Sequence, residues 1–259
     1  MKTLFRRAIV RPPGINFANG LTAAELGAPD IEVAQQQHES YCRTLEECGL
    51  ELVRLAADPI HPDATFVEDT AVLTPCSAIL ARPGALSRLG EVAGVADAVK
   101  KFYQVVTRIE PPGTLDGGDI CEAGSHFFIG LSQRTNEEGA HQLARLLAAD
   151  GFTSSTVDIR ASNSILHLKS GIAYLDHKNL VVMEELAERE EFSGYNLIVA
   201  PTTESYACNC VLVNDRVLVP AGFPKIQSEL NRRGYKPCPL DMSEFRKMDG
   251  GLSCLSLRF

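Results

Sequence analysis

The stretch that decides the fold lies near the C-terminus, at residues 211–219, and reads Val-Leu-Val-Asn-Asp-Arg-Val-Leu-Val. Two runs rich in Val and Leu flank Asn214 and Asp215, and these two residue types tolerate the positive φ angles of a two-residue hairpin turn. The stretch therefore predicts two antiparallel strands. Residues 225–233 follow as a predicted helix, so the whole unit is a strand, a tight turn, a second strand and a helix.

The same unit recurs along the chain, each time after a polar residue. These polar positions are separated by 50, 48, 42 and 45 residues, and they are Asp69, Asp119, His167, Asn209 and Cys254. A recurrence at this interval indicates a repeat architecture. Each helix is followed by another apolar run, as at 104–109 and 197–200, so the repeat is a ββαβ unit.

The two ends of the chain predict that the repeats close into a ring. The first unit lacks its beginning, and the chain ends in an apolar run at 255–257. We expect the strand at 4–10 to join the last unit, because closure removes exposed strand edges. The sequence thus predicts one α/β domain over residues 1–259, a five-bladed α/β-propeller with pseudo-fivefold symmetry. The alternative is a two-layer α/β sheet in which the repeated polar residues are unrelated.

Composition and charge exclude several classes of protein. The 259 residues are 45% hydrophobic and carry a formal net charge of −8, which is ordinary for a soluble globular protein. No apolar run approaches the roughly 20 residues of a membrane helix, and residues 1–10 do not resemble a secretory signal. We expect a cytoplasmic protein. No cluster of Lys and Arg suits a nucleic-acid backbone, so no nucleic-acid partner is predicted.

The eight cysteines are too dilute for a disulfide scaffold. Only Cys208 and Cys210 lie close together, and no second pair follows them at the spacing that a structural zinc site requires. No metal site is predicted. Most of these thiols are expected to be small buried hydrophobic groups.

A closed ring would bring the repeated polar residues together near its axis. One thiol, one imidazole and several carboxylates around a cavity suit nucleophilic catalysis, because the thiolate attacks, the imidazole transfers protons and a carboxylate orients the imidazole. Cys254 follows Gly250 and Gly251 in a turn where backbone N–H groups could surround the sulfur. Taken singly, Cys254 could be inert packing and His167 a core histidine, but together they favour a catalytic site.

Six motifs carry a family resemblance. They are Phe-Val-Glu-Asp (66–69), Arg-Pro-Gly-Ala (82–85), Thr-Leu-Asp-Gly-Gly-Asp (114–119), Gly-Leu-Ser-Gln-Arg-Thr-Asn (130–136), Leu-His-Leu-Lys-Ser (166–170) and Leu-Ser-Cys (252–254). In content and order they closely resemble the dimethylarginine dimethylaminohydrolases of the guanidino-group modifying, or pentein, superfamily. The resemblance extends from about residue 30 to the end. It implies a five-bladed α/β-propeller, in agreement with the repeat.

The resemblance also implies the catalytic residues. It makes Cys254 the nucleophile that attacks the guanidinium carbon and His167 the general acid and base. Asp116 matches the acidic residue that partners the histidine, although other members of the superfamily have Glu at this position.

Five further residues match the family's substrate contacts. Asp69 is implied to hold the guanidinium nitrogens, with Glu68 beside it. Asp63 resembles the residue near the substrate α-amine. Arg88 and Arg134 match the pair that binds the α-carboxylate, for which the bidentate fork of arginine is well suited.

The substrate class is implied by one difference from the related arginine deiminases. Lys169 stands where those enzymes have the Asp of a His-x-Asp motif, and the loss of that carboxylate favours N-methylated arginine over arginine. The implied reaction is cofactor-independent hydrolysis of dimethylarginine or monomethylarginine to citrulline and an alkylamine, through a covalent Cys thiouronium. The alternatives are an arginine deiminase or amidinotransferase-like enzyme, and a non-catalytic propeller that binds a partner. The predicted partner is a small guanidino substrate, and a homodimer is left open.

The Gly/Pro/Asn-rich segment 11–20 departs from the family pattern. We expect this segment to be a substrate lid, with Ile15 and Phe17 available to cover the pocket. The substrate-selecting residues of the lid are expected within 11–24. Segment 219–224 also differs from the family and is expected to be a loop that enters a helix.

Overall fold

The computed structural model describes residues 4–259, which form five three-stranded sheets. The strands are β1 (Arg7–Val10), β2 (Glu51–Arg54), β3 (Ala71–Leu73), β4 (Ala78–Leu80), β5 (Val106–Arg108), β6 (Ile120–Ala123), β7 (His126–Leu131), β8 (Thr153–Asp158), β9 (Ile172–Tyr174), β10 (Asn179–Met183), β11 (Asn196–Ala200), β12 (Val211–Val213), β13 (Arg216–Pro220), β14 (Pro237–Leu240) and β15 (Ser256–Arg258). The α-helices are α1 (Ile31–Glu47), α2 (Val92–Val99), α3 (Glu137–Ala149), α4 (Leu168–Gly171), α5 (Pro224–Arg232) and α6 (Ser243–Arg246).

All five sheets have the same topology. In each, the first strand pairs antiparallel with the second, and the second pairs parallel with the third; the strand orders are β3-β4-β5, β6-β7-β8, β9-β10-β11, β12-β13-β14 and β15-β1-β2. The parallel pairing needs a crossover, and a helical segment supplies it in every unit. The predicted five-bladed α/β-propeller is confirmed, and five separate sheets exclude the two-layer alternative.

The hairpin at residues 211–219 has the predicted turn. Asn214 adopts a positive φ of 53°, and β12 and β13 pair on either side of it. Asn214 also accepts a hydrogen bond from the Phe5 N–H and donates to the carbonyls of Phe5 and Cys48. The turn therefore also ties this hairpin to the neighbouring unit.

The ring closes through the first and last strands of the chain, as predicted. Ile9 of β1 lies opposite Leu257 of β15 in an antiparallel register. The strand begins at Arg7, whereas the prediction started it at Leu4. The extent of the single domain, residues 1–259, stays a prediction. No helix within residues 4–259 is long and apolar enough to cross a bilayer, and the cytoplasmic location stays a prediction.

One predicted helix is wrong. The ββαβ repeat predicts a helix after the second strand of every unit, but β10 is followed by two short 3-10 turns, Glu184–Leu186 and Glu190–Phe192. Their buried apolar side chains, Leu186 and Phe192, are six residues apart. That spacing does not place both on one face of an α-helix.

Short helical turns position the functional residues. One such turn directly precedes the first strand of four sheets, and in the β12 sheet the turn ends three residues before the strand. The turns span 67–70, 117–119, 168–171, 202–208 and 253–255. Neighbouring turns contact one another around the axis. The repeated polar residues noted in the sequence therefore meet in space.

Closure of the ring makes a testable contribution to stability. Ile9 is fully buried in the closing strand, whereas Val199 on β11 is 46% exposed. We expect Ile9→Ala to lower the free energy of unfolding by about 2 to 5 kcal/mol, and the control Val199→Ala to change it by less than about 0.5 kcal/mol. Urea-induced unfolding measures both values. An equal effect of the two substitutions would show that the closing strand is not packed as described.

Candidate active site

A narrow cavity near the axis collects six of the eight predicted site residues. Its lining includes Cys254, His167, Asp69, Asp63, Arg88 and Arg134, together with Leu21, Phe66, Leu166 and the 248–250 segment. Asp116 lies behind His167 and is fully buried. Glu68 lies elsewhere, as described below. The ring thus unites a C-terminal thiol with an imidazole from the middle of the chain.

Cys254 lies in the short 3-10 turn that leads into β15. Its backbone N–H donates to the Gly251 carbonyl at 3.2 Å, and its side chain is buried. Burial, together with the nearby carboxylates of Glu68 and Asp69, raises the pKa of the thiol to about 12. Without substrate, the sulfur is therefore a neutral thiol.

The imidazole is held in place by a buried carboxylate. His167 Nε2 lies 3.0 Å from Asp116 Oδ2, and Asp116 Oδ1 accepts a hydrogen bond from the Gly84 N–H at 2.9 Å. Burial alone would lower the pKa of His167, but the carboxylates of Asp69, Asp119 and Asp116 outweigh burial and raise it to about 9. At neutral pH the resting site therefore contains an imidazolium.

A glycine allows the carboxylate and the imidazole to approach each other. The Gly118 N–H donates to Asp69 Oδ1 at 2.8 Å. A Cβ atom on Gly118 would lie 2.7 Å from that oxygen and 2.9 Å from the His167 ring. A side chain at this position would force Asp69 and His167 apart. The second glycine of the 114–119 motif is therefore a requirement of the site.

Arg88 is bound by two buried carboxylates. Its Nη1 donates to Asp69 Oδ2 at 2.7 Å, and its Nε and Nη2 donate to Glu91 at 2.9 to 3.1 Å. These partners raise the pKa of Arg88 well above its ordinary value, although burial acts in the opposite direction. Glu91 was not identified in the sequence. Its position three residues after Arg88, where helical side chains are neighbours, is the signal that could have identified it.

Asp69, Asp116 and His167 are the group that could hold a metal ion within the described residues. One ligating atom from each lies within 4.8 Å of the others. Cationic partners already neutralise both carboxylates, since Arg88 Nη1 lies 2.7 Å from Asp69 and 4.0 Å from Asp116. A divalent cation would have to compete with the guanidinium of Arg88 and with protonated His167.

The lid region reaches the cavity through a different residue from those expected. Leu21 lines the cavity, and its N–H donates to Asp63 Oδ1 at 3.1 Å. Phe17 is fully buried against Phe66, and Ile15 is 88% exposed. The expectation that Ile15 and Phe17 cover the pocket is therefore wrong, because Phe17 anchors the segment in the core and Ile15 faces solvent. Leu21 lies within the predicted range 11–24.

Hydrogen bonds fasten the lid region to the loop before the nucleophile. Thr22 Oγ1 donates to the Lys247 carbonyl at 2.9 Å, and the Ala23 N–H donates to Asp249 Oδ2 at 2.6 Å. These groups are exposed, so water can replace each of these bonds at small cost. The segment that covers the cavity is thus held by contacts that can open.

Glu68 does not face this cavity. Its carboxylate forms an ion pair with Lys169, accepts a hydrogen bond from Ser253 Oγ at 2.7 Å and lies 3.4 Å from Arg258. These groups line a separate cavity of about 530 Å³, which is bounded by the first strands of all five sheets. The expectation that Glu68 lies beside Asp69 against the guanidinium does not match this placement. Consecutive residues of a 3-10 turn point about 120° apart, so Glu68 and Asp69 face different cavities.

The charge on His167 makes stability depend on pH. The pKa of His167 is about 9 in the folded protein, against an ordinary histidine value of about 6.5, so its contribution to stability is complete below about pH 6.5 and is lost as the pH rises through 9. We expect the free energy of unfolding of the wild type to fall between pH 7 and 9 more than that of His167→Asn. Denaturant titrations across this range measure the difference. Parallel curves for the two proteins would contradict a charged His167.

Comparisons with known proteins agree with the observed fold. The arginine deiminase family model matches residues 97–201. The N(G),N(G)-dimethylarginine dimethylaminohydrolase of Pseudomonas aeruginosa is 45% identical over 257 residues, covering 99% of this chain and 100% of the relative. The corresponding enzyme of Streptomyces coelicolor is 33% identical, with 98% and 96% covered.

Solved structures of known proteins have the same fold as this chain. A cysteine-to-serine variant of the Pseudomonas aeruginosa enzyme, complexed with citrulline, superimposes with a TM-score of 0.96 at 44% identity, covering 99% of this chain and 100% of that one. The N-terminal domain of the cyanobacterial arginine dihydrolase ArgZ shares the fold, with a TM-score of 0.85 at 19% identity and coverage of 97% and 96%. The chain described here belongs to the dimethylarginine dimethylaminohydrolase family of the pentein superfamily.

Proposed function

We propose that this protein hydrolyses dimethylarginine or monomethylarginine to citrulline and an alkylamine, without a cofactor. The observation that carries the proposal is a single cavity lined by Cys254, His167, Asp69 and two arginines. Relatives named for this activity, one of them solved with citrulline, support the same reaction. The residues present can supply a nucleophile, an acid and base, and charged partners for both ends of an arginine derivative.

The charges of the cavity are complementary to those of the substrate. The guanidinium cation would bind against Asp69, since a carboxylate and a guanidinium form strong, directional hydrogen bonds. Arg88 and Arg134 would bind the α-carboxylate, and Asp63 the α-amine. Arg88 now donates to Asp69, so the substrate must share or displace this contact. Exchange of one guanidinium for another preserves the charge balance of the buried carboxylate.

The first chemical step uses the positive charge of the substrate. A cation bound next to Cys254 favours ionisation of a thiol whose pKa is otherwise about 12. The thiol loses its proton to solvent, and the thiolate attacks the guanidinium carbon to form a C–S bond and a neutral tetrahedral intermediate. His167, protonated in the resting site, donates its proton to the alkylamine as the C–N bond breaks. The product of this step is a covalent thiouronium on Cys254 together with a neutral imidazole.

The second step regenerates the enzyme. The neutral His167 accepts a proton from a water molecule, and the resulting hydroxide attacks the thiouronium carbon. The tetrahedral intermediate collapses, the C–S bond breaks, and citrulline is released as its hydroxyl proton is lost. The departing Cys254 thiolate takes up a proton, which restores the neutral thiol of the resting site. Asp116 holds the imidazole in one orientation through both steps.

The placement of Lys169 supports the choice of methylated substrates. Its ammonium group pairs with Glu68 and faces the larger cavity, so position 169 contributes no carboxylate to the cavity of Cys254. A guanidino nitrogen without a carboxylate partner can carry methyl groups, since no buried acceptor is left unsatisfied by losing an N–H.

Removal of the nucleophile tests the proposed function. We expect the purified wild type to convert dimethylarginine to citrulline and dimethylamine, and Cys254→Ser to be at least about 1000-fold slower, because a hydroxyl is a much weaker nucleophile here. Cys42→Ser is the matched control, since Cys42 is also buried but does not line the cavity. Colorimetric citrulline detection and amine analysis measure both products.

The same assay distinguishes the alternatives. Equal rates for wild type and Cys254→Ser would overturn the assignment of the nucleophile. A higher kcat/KM for ammonia release from arginine than for dimethylamine release would identify an arginine deiminase, and transfer to an added amine would identify an amidinotransferase. Absence of turnover with every guanidine would favour the non-catalytic propeller.

A further inference from the structure

The chemistry proposed above gives no role to Asn209, the polar residue of the fourth repeat. Asn209 is 4% exposed and follows the 3-10 turn 202–208. A buried amide costs free energy unless its donors and acceptor are paired. The partners of this amide therefore indicate what the residue does.

One part of the amide binds the turn that carries the nucleophile. Asn209 Oδ1 accepts the backbone N–H of Ser253 at 2.8 Å, and its Nδ2 lies 3.1 Å from Ser253 Oγ. Ser253 directly precedes Cys254 in the turn 253–255. The hydrogen bond to the main chain fixes where this turn begins, and hence where the Cys254 side chain starts.

The other part of the amide binds the turn that follows the histidine. Asn209 Nδ2 donates to the Lys169 carbonyl at 3.1 Å. Lys169 lies in α4, the one-turn helix that begins directly after His167. A single planar group thus bridges the turn of the nucleophile and the turn of the acid and base.

Gly251 lacks the side chain that would clash with the Asn209 amide. A Cβ atom at Gly251 would lie 2.4 Å from Asn209 Cγ and 2.5 Å from Oδ1, a distance at which the amide would have to move. The carbonyl of Gly251 accepts the Cys254 N–H. The same glycine therefore gives space to Asn209 and closes the turn of the nucleophile.

We propose that Asn209 is a positioning residue, which sets the separation between the Cys254 sulfur and the His167 imidazole by linking their two turns. The role rests on the proposed function, in which the sulfur attacks and the imidazole protonates the leaving amine. The attack by sulfur and the proton transfer from the imidazole both require the reacting atoms to be nearly in contact, and a misplacement of about 1 Å can cost roughly 100-fold in rate. Asn209 touches neither the sulfur nor the ring in the bonds described, so it acts through Ser253 and Lys169.

Asn209→Ala and a matched control test the role. Asn214 also accepts one backbone N–H and donates to two acceptors, but its partners are Phe5 and Cys48, outside the active-site cavity. Asn214→Ala removes a similar set of hydrogen bonds and places alanine at a φ of 53°, so it should destabilise the fold at least as much. For each variant we would measure kcat and KM for citrulline formation, the thermal midpoint, and the rate of alkylation of Cys254 by 2-chloroacetamidine.

We expect Asn209→Ala to lower kcat by roughly 10- to 100-fold with KM within about threefold of the wild type, and to slow alkylation of Cys254. The thermal midpoint of Asn214→Ala should fall at least as far, with kcat and alkylation within about twofold of wild type. Gly251→Ala retains the amide but displaces it, so it should reproduce the loss of kcat if Asn209→Ala fails to fold.

Two results would overturn the role. One is a kcat and alkylation rate for Asn209→Ala within about twofold of wild type; the other is an equal loss of kcat in Asn209→Ala and Asn214→Ala, which would mean that general destabilisation explains both. Failure of the proposed function would look different, because the wild type itself would then form no citrulline. The comparison of alkylation rates would still report on the position of the thiol.

Discussion

The position of the reactive sulfur depends on the antiparallel pairing of the last strand, β15, with the first strand, β1. Cys254 lies only two residues before β15, so a free C-terminal strand would leave the thiol without a fixed place. Pairing with β1 brings the end of the chain back to the axis, beside the turn that carries Asp69 and into the cavity that His167 also lines. The strand pairing that closes the ring therefore also places Cys254 in the active-site cavity. Hydrogen bonds that Ser253 donates to Asn209 and Glu68 then refine the position that the strand pairing sets.

The second constraint is electrostatic. Three buried carboxylates, Asp69, Asp116 and Asp119, surround His167 and raise its pKa to about 9, whereas burial and neighbouring carboxylates raise the pKa of Cys254 to about 12. In the proposed mechanism, the resting site thus has its acid charged and its nucleophile neutral. A cationic substrate supplies the positive charge that the sulfur lacks, so ionisation of the thiol is coupled to binding. This coupling favours guanidinium substrates over neutral amides, because a neutral ligand leaves the thiol protonated.

Much of the architecture could be predicted because it follows from local patterns. The Asn214 turn and the recurrence of polar residues before apolar strands predicted the five units and the meeting of Cys254 with His167. The placement of Glu68 could not be predicted, because the direction of adjacent side chains in a 3-10 turn depends on backbone angles that the motif does not reveal. Glu91 and Leu21 were missed for a different reason. Neither belongs to a repeated motif; Leu21 is placed at the cavity by long-range contacts, and Glu91 can be identified only by its spacing of three residues from Arg88.

The central claim is that Cys254 attacks the guanidinium carbon within a closed ring. Acid quenching of the enzyme during turnover of dimethylarginine, followed by mass spectrometry of the C-terminal peptide, tests it most directly. The account predicts that the peptide containing Cys254 gains the mass of the substrate less dimethylamine, and that His167→Gly forms this adduct more slowly because it lacks the proton donor for the departing amine. Citrulline formation with no adduct on Cys254 in either protein, or with an adduct on another residue, would contradict the account.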